Sequence, residues 1–352
     1  AFSGVYISHS TLDDQPFNDG SVTLSANASS YSGIVSQVQL FVDDGMGFNQ
    51  YNMNASQNGY TYQLTGLSDG SVISYYFTAN DSEGNSSQLP SNAPETTFKF
   101  VMGTLPIVFS DNFELSQGWS VGDSDDTASS GIWELGDPNI VYADNGYVSQ
   151  PGDDHSVEGS LCYITGNLSN SSSSGADDVD GGKTTLLSPV FDLTDMDDAR
   201  VSFWYWYSND LGDNPGSDFW NVAVSNNAGE TWTTLINTSS STNSWQNQKI
   251  FLSDYIELTN EIKLKFIAQD QDYGSLVEAA LDDFVIESIN GDSSYLDGDS
   301  NMDGAVNIQD IIVIINVVLG IDSSDEYNAD TNQDGSVDIL DVISTVNIIL
   351  NN

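Results

Sequence analysis

Two twelve-residue stretches near the end of the chain repeat one order of oxygen-bearing side chains. "DSNMDGAVNIQD" at 299–310 realigns with "DTNQDGSVDILD" at 330–341, an offset of 31 residues. Positions 1, 3, 5, 9 and 12 are Asp299, Asn301, Asp303, Asn307 and Asp310 in the first copy. In the second they are Asp330, Asn332, Asp334, Asp338 and Asp341. Position 6 is glycine in both, Gly304 and Gly335, where a cation-wrapping loop must turn sharply, and the carbonyl of Ala305 or Ser336 falls at position 7. Hard oxygen donors at this spacing suit calcium, so the repeat predicts one ion per loop, two in all.

Each loop leads into an apolar helix pattern. From 310 to 319 eight of ten residues are apolar: Ile311, Ile312, Val313, Ile314, Ile315, Val317, Val318 and Leu319. No polar stripe is left for solvent. The second pattern, with Val342, Ile343, Val346, Ile348, Ile349 and Leu350, can cover only one side of the first. Either the two helices bury one another, or the surplus is covered by a receptor, another domain or the next copy of the chain. Ile308, Ile311, Ile312, Ile315, Ile339 and Leu340 are the candidate contact residues.

Aspartate at position 12, the 31-residue offset and the closing "VVLG" resemble a type I dockerin rather than a calmodulin-like EF-hand pair. The resemblance implies a calcium-folded module that attaches a secreted protein to a cohesin-like receptor. The chain departs from the cellulosomal pattern at loop positions 10 and 11. Small hydroxylated residues often serve recognition there; here they are Ile308 and Gln309, then Ile339 and Leu340.

Six Lys and Arg stand against 52 Asp and Glu, a formal charge of −46. That field repels nucleic acid and anionic membranes and attracts cations; a solvated surface suited to salty surroundings is the plainer reading. With 39% apolar and 11% aromatic residues over 352 positions, the chain can bury several cores. The one cysteine, Cys162, has no intrachain partner and lies in the strand-like "GSLCYITG", which predicts a buried structural thiol. The opening "AFSGVYISHS" lacks a charged and apolar leader pattern, so a signal peptide is expected to be already removed or left out. The run at 311–319 is too short to span a bilayer. Sequons at Asn27, Asn54, Asn80, Asn85, Asn167, Asn170 and Asn237 suit a glycosylated extracellular protein, although Ser- and Asn-rich sequence also produces them by chance.

Patterning divides the chain into three and predicts a mainly β protein. Over 1–102, "SVTLSANA", "VSQVQLFVDD", "YTYQLTGL", "VISYYFTAND" and "TTFKFVMG" alternate apolar with polar residues between turn-forming ones, the pattern of a small antiparallel sandwich. "SYYFTANDSEGNSSQLP" resembles immunoglobulin-like or fibronectin III-like modules beside secreted bacterial enzymes. Over 103–290, strands such as "ARVSFWYWYS", "FWNVAVSN" and "EIKLKFIAQD" predict a jelly-roll sandwich. "DNFELSQGWS", "DVDGGKTTLLSPVFDLT", "SDFWNVAVSNNAGETWTTL" and "LVEAALDDFVI" resemble the MAM-like or concanavalin-like jelly rolls of bacterial secreted peptidases and surface proteins. Residues 291–352 form the calcium-loop module.

Within the jelly roll, acids cluster at Asp111/Glu114, Asp177/Asp178/Asp180, Asp213/Asp218 and Asp282/Asp283. The jelly-roll resemblance implies a calcium ion between the first and last strands, with Glu114 and Asp283 as ligands and Asp111 and Asp282 behind them. Solvated loops are the alternative. In "VSFWYWYS" the strand period turns Val201, Phe203, Tyr205 and Tyr207 to one face and Trp204 and Trp206 to the other. The second face either packs against other elements or stacks on sugar rings, with Trp220 a further candidate. No HExxH, no GxSxG and no Cys/His pair with an orienting group is present, and loop carboxylates open to solvent do not make a glycosidase pair. The expectation is a noncatalytic extracellular protein whose calcium-ordered end docks onto another protein, including the next subunit of a head-to-tail fibre. The alternative is a carbohydrate-binding appendage of a secreted hydrolase.

Overall fold

The computed structural model describes residues 4–115, 117–143, 145–157, 159–168, 175–271, 274–289, 298, 300, 306–319, 329, 331–332 and 336–351. The chain forms two compact units, Ala1–Ile289 and Asn290–Asn352.

Among the described residues the paired strands of the first unit are antiparallel, with one short 3-10 turn at Leu252–Asp254, and form two sandwiches with separate hydrophobic cores. In the first sandwich a sheet of Val5–Ser8, Val22–Ser30, Gly59–Leu64 and Asn54–Ser56 faces a sheet built on Val35–Asp43 and Ser71–Asp81. Strand alternation decides what is buried. Val22, Leu24 and Ala26, then Val38, Leu40 and Val42, then Ile73, Tyr75, Phe77 and Ala79 all enter one core, and the residues between them face outward. His9 is held there by Ser25 O and the Tyr75 hydroxyl, at 2.7 and 2.9 Å.

The second sandwich pairs Glu278–Ile289 with Asp198–Ser208, Cys162–Thr165 and Ile107–Asp111 in one sheet. Its other sheet runs Ser120–Val121, Gly182–Leu187, Lys263–Asp270, Phe219–Ser225 and Thr233–Thr238. The parity read from "VSFWYWYS" holds: Val201, Phe203 and Tyr207 enter the main core, with Tyr205 against it. Trp206 lies on the opposite face with Cys162, Ile164 and Ala280, roofed by Val148 and Trp245.

Three of the chain's six basic residues sit where the two sandwiches meet. Arg200 donates from Nε to Glu287 at 2.7 Å and from Nη1 to Asp14 at 2.8 Å. Lys249 reaches the same Asp14 oxygen at 2.5 Å, and Lys99 pairs with Asp254 at 2.5 Å. Lys99 and Arg200 both lie over the Phe251 ring. Burial pushes the Asp14 pKa up, but the Lys249 hydrogen bond, the Val101 N–H and the Arg200 charge outweigh it, and the net direction is down.

The second unit contains two described helices, α1 (Ile308–Val318) and α2 (Ile339–Asn351), which pack on each other.

Candidate functional site

The helix starts show how the repeated loops position their oxygens. Asn307 has extended backbone and caps α1: its side chain accepts the Gln309 N–H at 2.8 Å, and Asp310 Oδ2 accepts the Asn307 N–H at 2.7 Å. Loop positions 9 and 12 are thereby the two halves of a capping box. The second copy repeats the arrangement. Asp338 Oδ1 accepts from Leu340 N at 2.7 Å, and Asp341 Oδ2 accepts from Asp338 N at 2.8 Å. Asp341 Oδ1 also accepts from Asn332 N at 3.1 Å, tying position 12 back to position 3. Asp310 and Asp341 are fully buried. Asp299, Asn301, Asp303, Ala305, Asp330 and Asp334 lie outside the described residues. The donor set of those that are described, Asn307, Asp310, Asn332, Ser336, Asp338 and Asp341, is carboxylate, amide and main-chain or hydroxyl oxygen without nitrogen or sulfur, which fits calcium.

The helices bury little of their apolar surface. Ile314 is fully enclosed, and Thr345 of α2 is enclosed beside Thr331, hydroxyl to hydroxyl at 2.9 Å. Ile308 is 70% exposed and Ile312 53%, and Ile315 and Leu319 continue the same face at helical spacing. Ile339, Leu340, Ile343 and Leu350 are likewise exposed on α2, whereas Ile311 is only partly so.

In the jelly roll, a bulge gathers two adjacent carboxylates. The pairing of Asp198–Ser208 with Glu278–Ile289 slips between Ser202 and Trp204, and Asp283 takes a left-handed φ of 47°. Asp282 and Asp283 can then both meet the loop at 155–156 instead of pointing to opposite faces. Asp282 Oδ2 accepts the N–H groups of His155 and Ser156, at 2.7 and 3.1 Å, and burial pushes its pKa up to about 7. Asp283 Oδ2 lies 2.6 Å from His155 Nδ1, and its Oδ1 accepts the Ser156 hydroxyl at 2.9 Å. Glu114 Oε1 accepts from Ser160 N and Leu161 N, at 2.8 and 2.7 Å. Asp154, unremarked in the sequence, joins this group: burial and then the charges of Glu114 and Asp283 raise its pKa, and its buried Oδ2 has no hydrogen-bond partner.

Asp111 turns away from this loop. Its oxygens accept the Phe113 N–H at 2.8 Å and the Trp119 indole N–H at 2.9 Å, a structural use. Among the described residues no three His, Cys, Asp or Glu side chains converge closely enough to hold a metal by themselves. Any ion here therefore needs main-chain, hydroxyl or water oxygens beside Glu114 and Asp283.

The three tryptophans part company. Trp220 is fully buried in the main core and Trp206 is enclosed by Trp245 and Val148, so neither ring has a face for a sugar; both are core residues rather than candidates for stacking. Trp204 is partly exposed, and the His155 ring covers one of its faces at 3.7 Å between centroids. His155, Asp283 and Ser156 meet, but the hydroxyl bonds the carboxylate and not the imidazole, so no nucleophile is activated. The Cys162 thiol is buried, with its pKa pushed well up by burial and by surrounding carboxylates.

Of the sequon asparagines, Asn27, Asn54 and Asn237 are exposed, Asn80 is partly so, and Asn170 lies outside the described residues. Asn85 Nδ2 donates to Ser32 and Asp81, and Asn167 Nδ2 to Asp137 O, so those two amides already have structural partners.

Residues 297–350 match the family model of the dockerin type I domain, so a type I dockerin domain occupies the C-terminal end. A comparison with curated proteins finds no match. Similar solved structures include the carbohydrate-binding module TmCBM61 in complex with β-1,4-galactotriose, 16% identical over 49% of this chain and 89% of that one, TM-score 0.28. The K3 cleaved adhesin domain of Lys-gingipain from Porphyromonas gingivalis is 15% identical over 52% and 99%, TM-score 0.30. The N-terminal CBM22-1–CBM22-2 tandem domain of Paenibacillus barcinonensis Xyn10C is 11% identical over 81% and 86%, TM-score 0.31. These likenesses carry no argument about function.

Proposed function

We propose that this is a noncatalytic extracellular assembly protein whose C-terminal module, ordered by two calcium ions, docks through its exposed helical faces onto a second protein. The observation that carries the reading is the apolar stripe of Ile308, Ile312, Ile315 and Leu319 on α1, beside Ile339, Leu340 and Ile343 on α2, left uncovered in a strongly acidic chain. Calcium fits because the loop oxygens also set the helix caps, so losing the ion loosens the start of both helices. Type I dockerin membership supports a cohesin-type receptor as partner, and Ile308, Ile339 and Leu340 supply apolar rather than hydroxylated contacts at the recognition positions. Docking onto the next copy would instead give a head-to-tail fibre, because such a contact need not close. No described helix is long and apolar enough to cross a membrane.

Sedimentation velocity in calcium and in EGTA, with and without a type I cohesin, tests the reading. A calcium-dependent complex with the cohesin, or a calcium-dependent polymer of the protein alone, supports docking and distinguishes the two partners. A monomer that ignores cohesin in calcium, with its helices intact, sinks the proposal.

A second reading, glycan binding by the jelly roll, rests on Trp204, partly exposed and stacked on His155, whose ring also meets Trp245. Trp204→Ala abolishing oligosaccharide binding would favour it.

A further inference from the structure

One outward face of the first sandwich sets fixed amides beside aromatic rings, in two rows that carry no charge. In the sheet built on Val35–Asp43 and Ser71–Asp81, strand alternation sends Val38, Leu40 and Val42 into the core, so Gln37, Gln39 and Phe41 face outward. Register puts Gln39 between Asn52 and Thr78, and Phe41 between Gln50 and Tyr76. An amide row and an aromatic row thus cross three strands, about 7 Å apart along the strand direction.

The amides hold one another in place. Gln37 Nε2 and Gln39 Nε2 both donate to Asn52 Oδ1, at 2.8 and 3.1 Å. That contact commits the Asn52 oxygen and leaves its Nδ2 group to donate elsewhere. Asn52 Nδ2 and the two glutamine side-chain oxygens have no partner among the described residues, so the row offers donors and acceptors together.

The neighbouring row supplies apolar surface on the side of the sheet away from the core. Phe41 and Tyr76 stack, with 4.6 Å between centroids and 5° between planes, and Phe48 meets Tyr76 at 5.2 Å and 71°. Phe48 is 40% exposed, and Phe41, half-buried, has no second ring against it among the described residues. Asp43, the next outward residue of the strand, is tied into its hairpin: Oδ1 accepts from Gly45 N and Gly47 N, at 2.9 and 2.8 Å.

The chemistry of the two rows selects among ligands. A chain of formal charge −46 repels polyanions, and a basic partner gains nothing from rows without a carboxylate. An apolar protein surface would bury Asn52 Nδ2 and the glutamine oxygens unpaired, at a cost. A neutral sugar has C–H groups on its ring face and hydroxyls that both donate and accept at its rim, which matches rings beside uncharged amides.

We propose that Phe41, Phe48 and the amides of Gln37, Gln39 and Asn52 bind a neutral oligosaccharide, one ring lying on the aromatic row while its hydroxyls reach the amides. The site lies in a different sandwich from Trp204 and uses no residue of the docking helices, so it is independent of both readings above.

Isothermal titration of the full chain in calcium with gluco-, manno- and galacto-oligosaccharides, and with oligogalacturonate as the charged control, tests this. A neutral oligosaccharide should bind and oligogalacturonate should not. Phe48→Ala, and Asn52→Asp, which keeps the oxygen for the two glutamines but removes the donor, should each weaken that binding about tenfold or more with the unfolding temperature unchanged. Trp204→Ala should leave it unchanged. Failure of every neutral oligosaccharide to bind, or equal binding of the charged one, would overturn the proposal. Binding lost in Trp204→Ala but kept in Phe48→Ala and Asn52→Asp would overturn it by placing the sugar on the jelly roll. Self-association abolished by Phe48→Ala, without sugar binding, would overturn it in favour of a protein contact.

Discussion

The sandwiches of residues 1–289 enclose their large apolar residues, and the module of 290–352 displays its own on its two described helices. Leu24, Leu40, Phe77, Phe203, Trp220 and Phe266 have no appreciable contact with water, because each strand turns alternate residues to a core that a second sheet closes from the other side. In the module Ile314 reaches that state, but Ile308, Ile312, Ile339 and Leu350 do not, since two helices offer each other only one face. Similar side chains thus report different things: in a sheet they show where the fold closes, and on a short helix pair they show where it stays open to a partner.

The comparison breaks first at the metal. Chelating calcium, or changing Asp310 and Asp341 to Ala, should remove the helical contribution to far-UV circular dichroism altogether while the cooperative unfolding of the sandwiches survives. Persistence of the helices would mean that the module is held by packing as the sandwiches are. Next comes the closed core: Trp220→Ala should cost about 4 kcal/mol in denaturant unfolding, and Ile314→Ala, the one enclosed isoleucine of α1, about 3 kcal/mol of module stability.

A smaller effect belongs to the contact between the sandwiches. Asp14→Ala strips a partner from the buried Arg200 and should cost about 2 kcal/mol. Because the Asp14 pKa is lowered in the folded protein, its contribution is present above the ordinary carboxylate range and is lost as pH falls. The difference between wild type and variant should therefore shrink on acidification through that range. The smallest change in stability is expected at the displayed face. Ile312→Ser should alter unfolding by no more than about 0.5 kcal/mol, yet weaken capture of the docking partner by about tenfold or more. A variant that unfolds readily but still docks would reverse the contrast.

Reading by residue type and period succeeded where the signal is local. The match of residues 297–350 to the dockerin type I domain agrees with the donor order carried by the two twelve-residue stretches, whereas the capping box of Asn307 and Asp310 is seen only in the structure. The face assignment of Val201, Phe203 and Tyr207 against Trp206 also needed only the strand period. Period names two faces and not what covers them, so Trp206 could be read as a sugar platform until Val148 and Trp245 were found over it. Trp220 could be read that way until the opposite sheet closed on it.

The chain's amino acids by themselves determined its strand-rich character, the paired loops and the excess of apolar surface on the helices, because each depends on neighbours within a turn or a strand. Tertiary structure alone decided the rest. Arg200 meets Asp14 across 186 residues. A bulge and a left-handed residue bring Asp282 and Asp283 to one loop, where Asp154 and His155 meet them from 127 or more residues away. Asp111, which sequence proximity groups with Glu114, belongs instead to Trp119. The physical reason is the sheet itself: pairing register and bulges choose which distant side chains share a face, and that choice is made by the whole core.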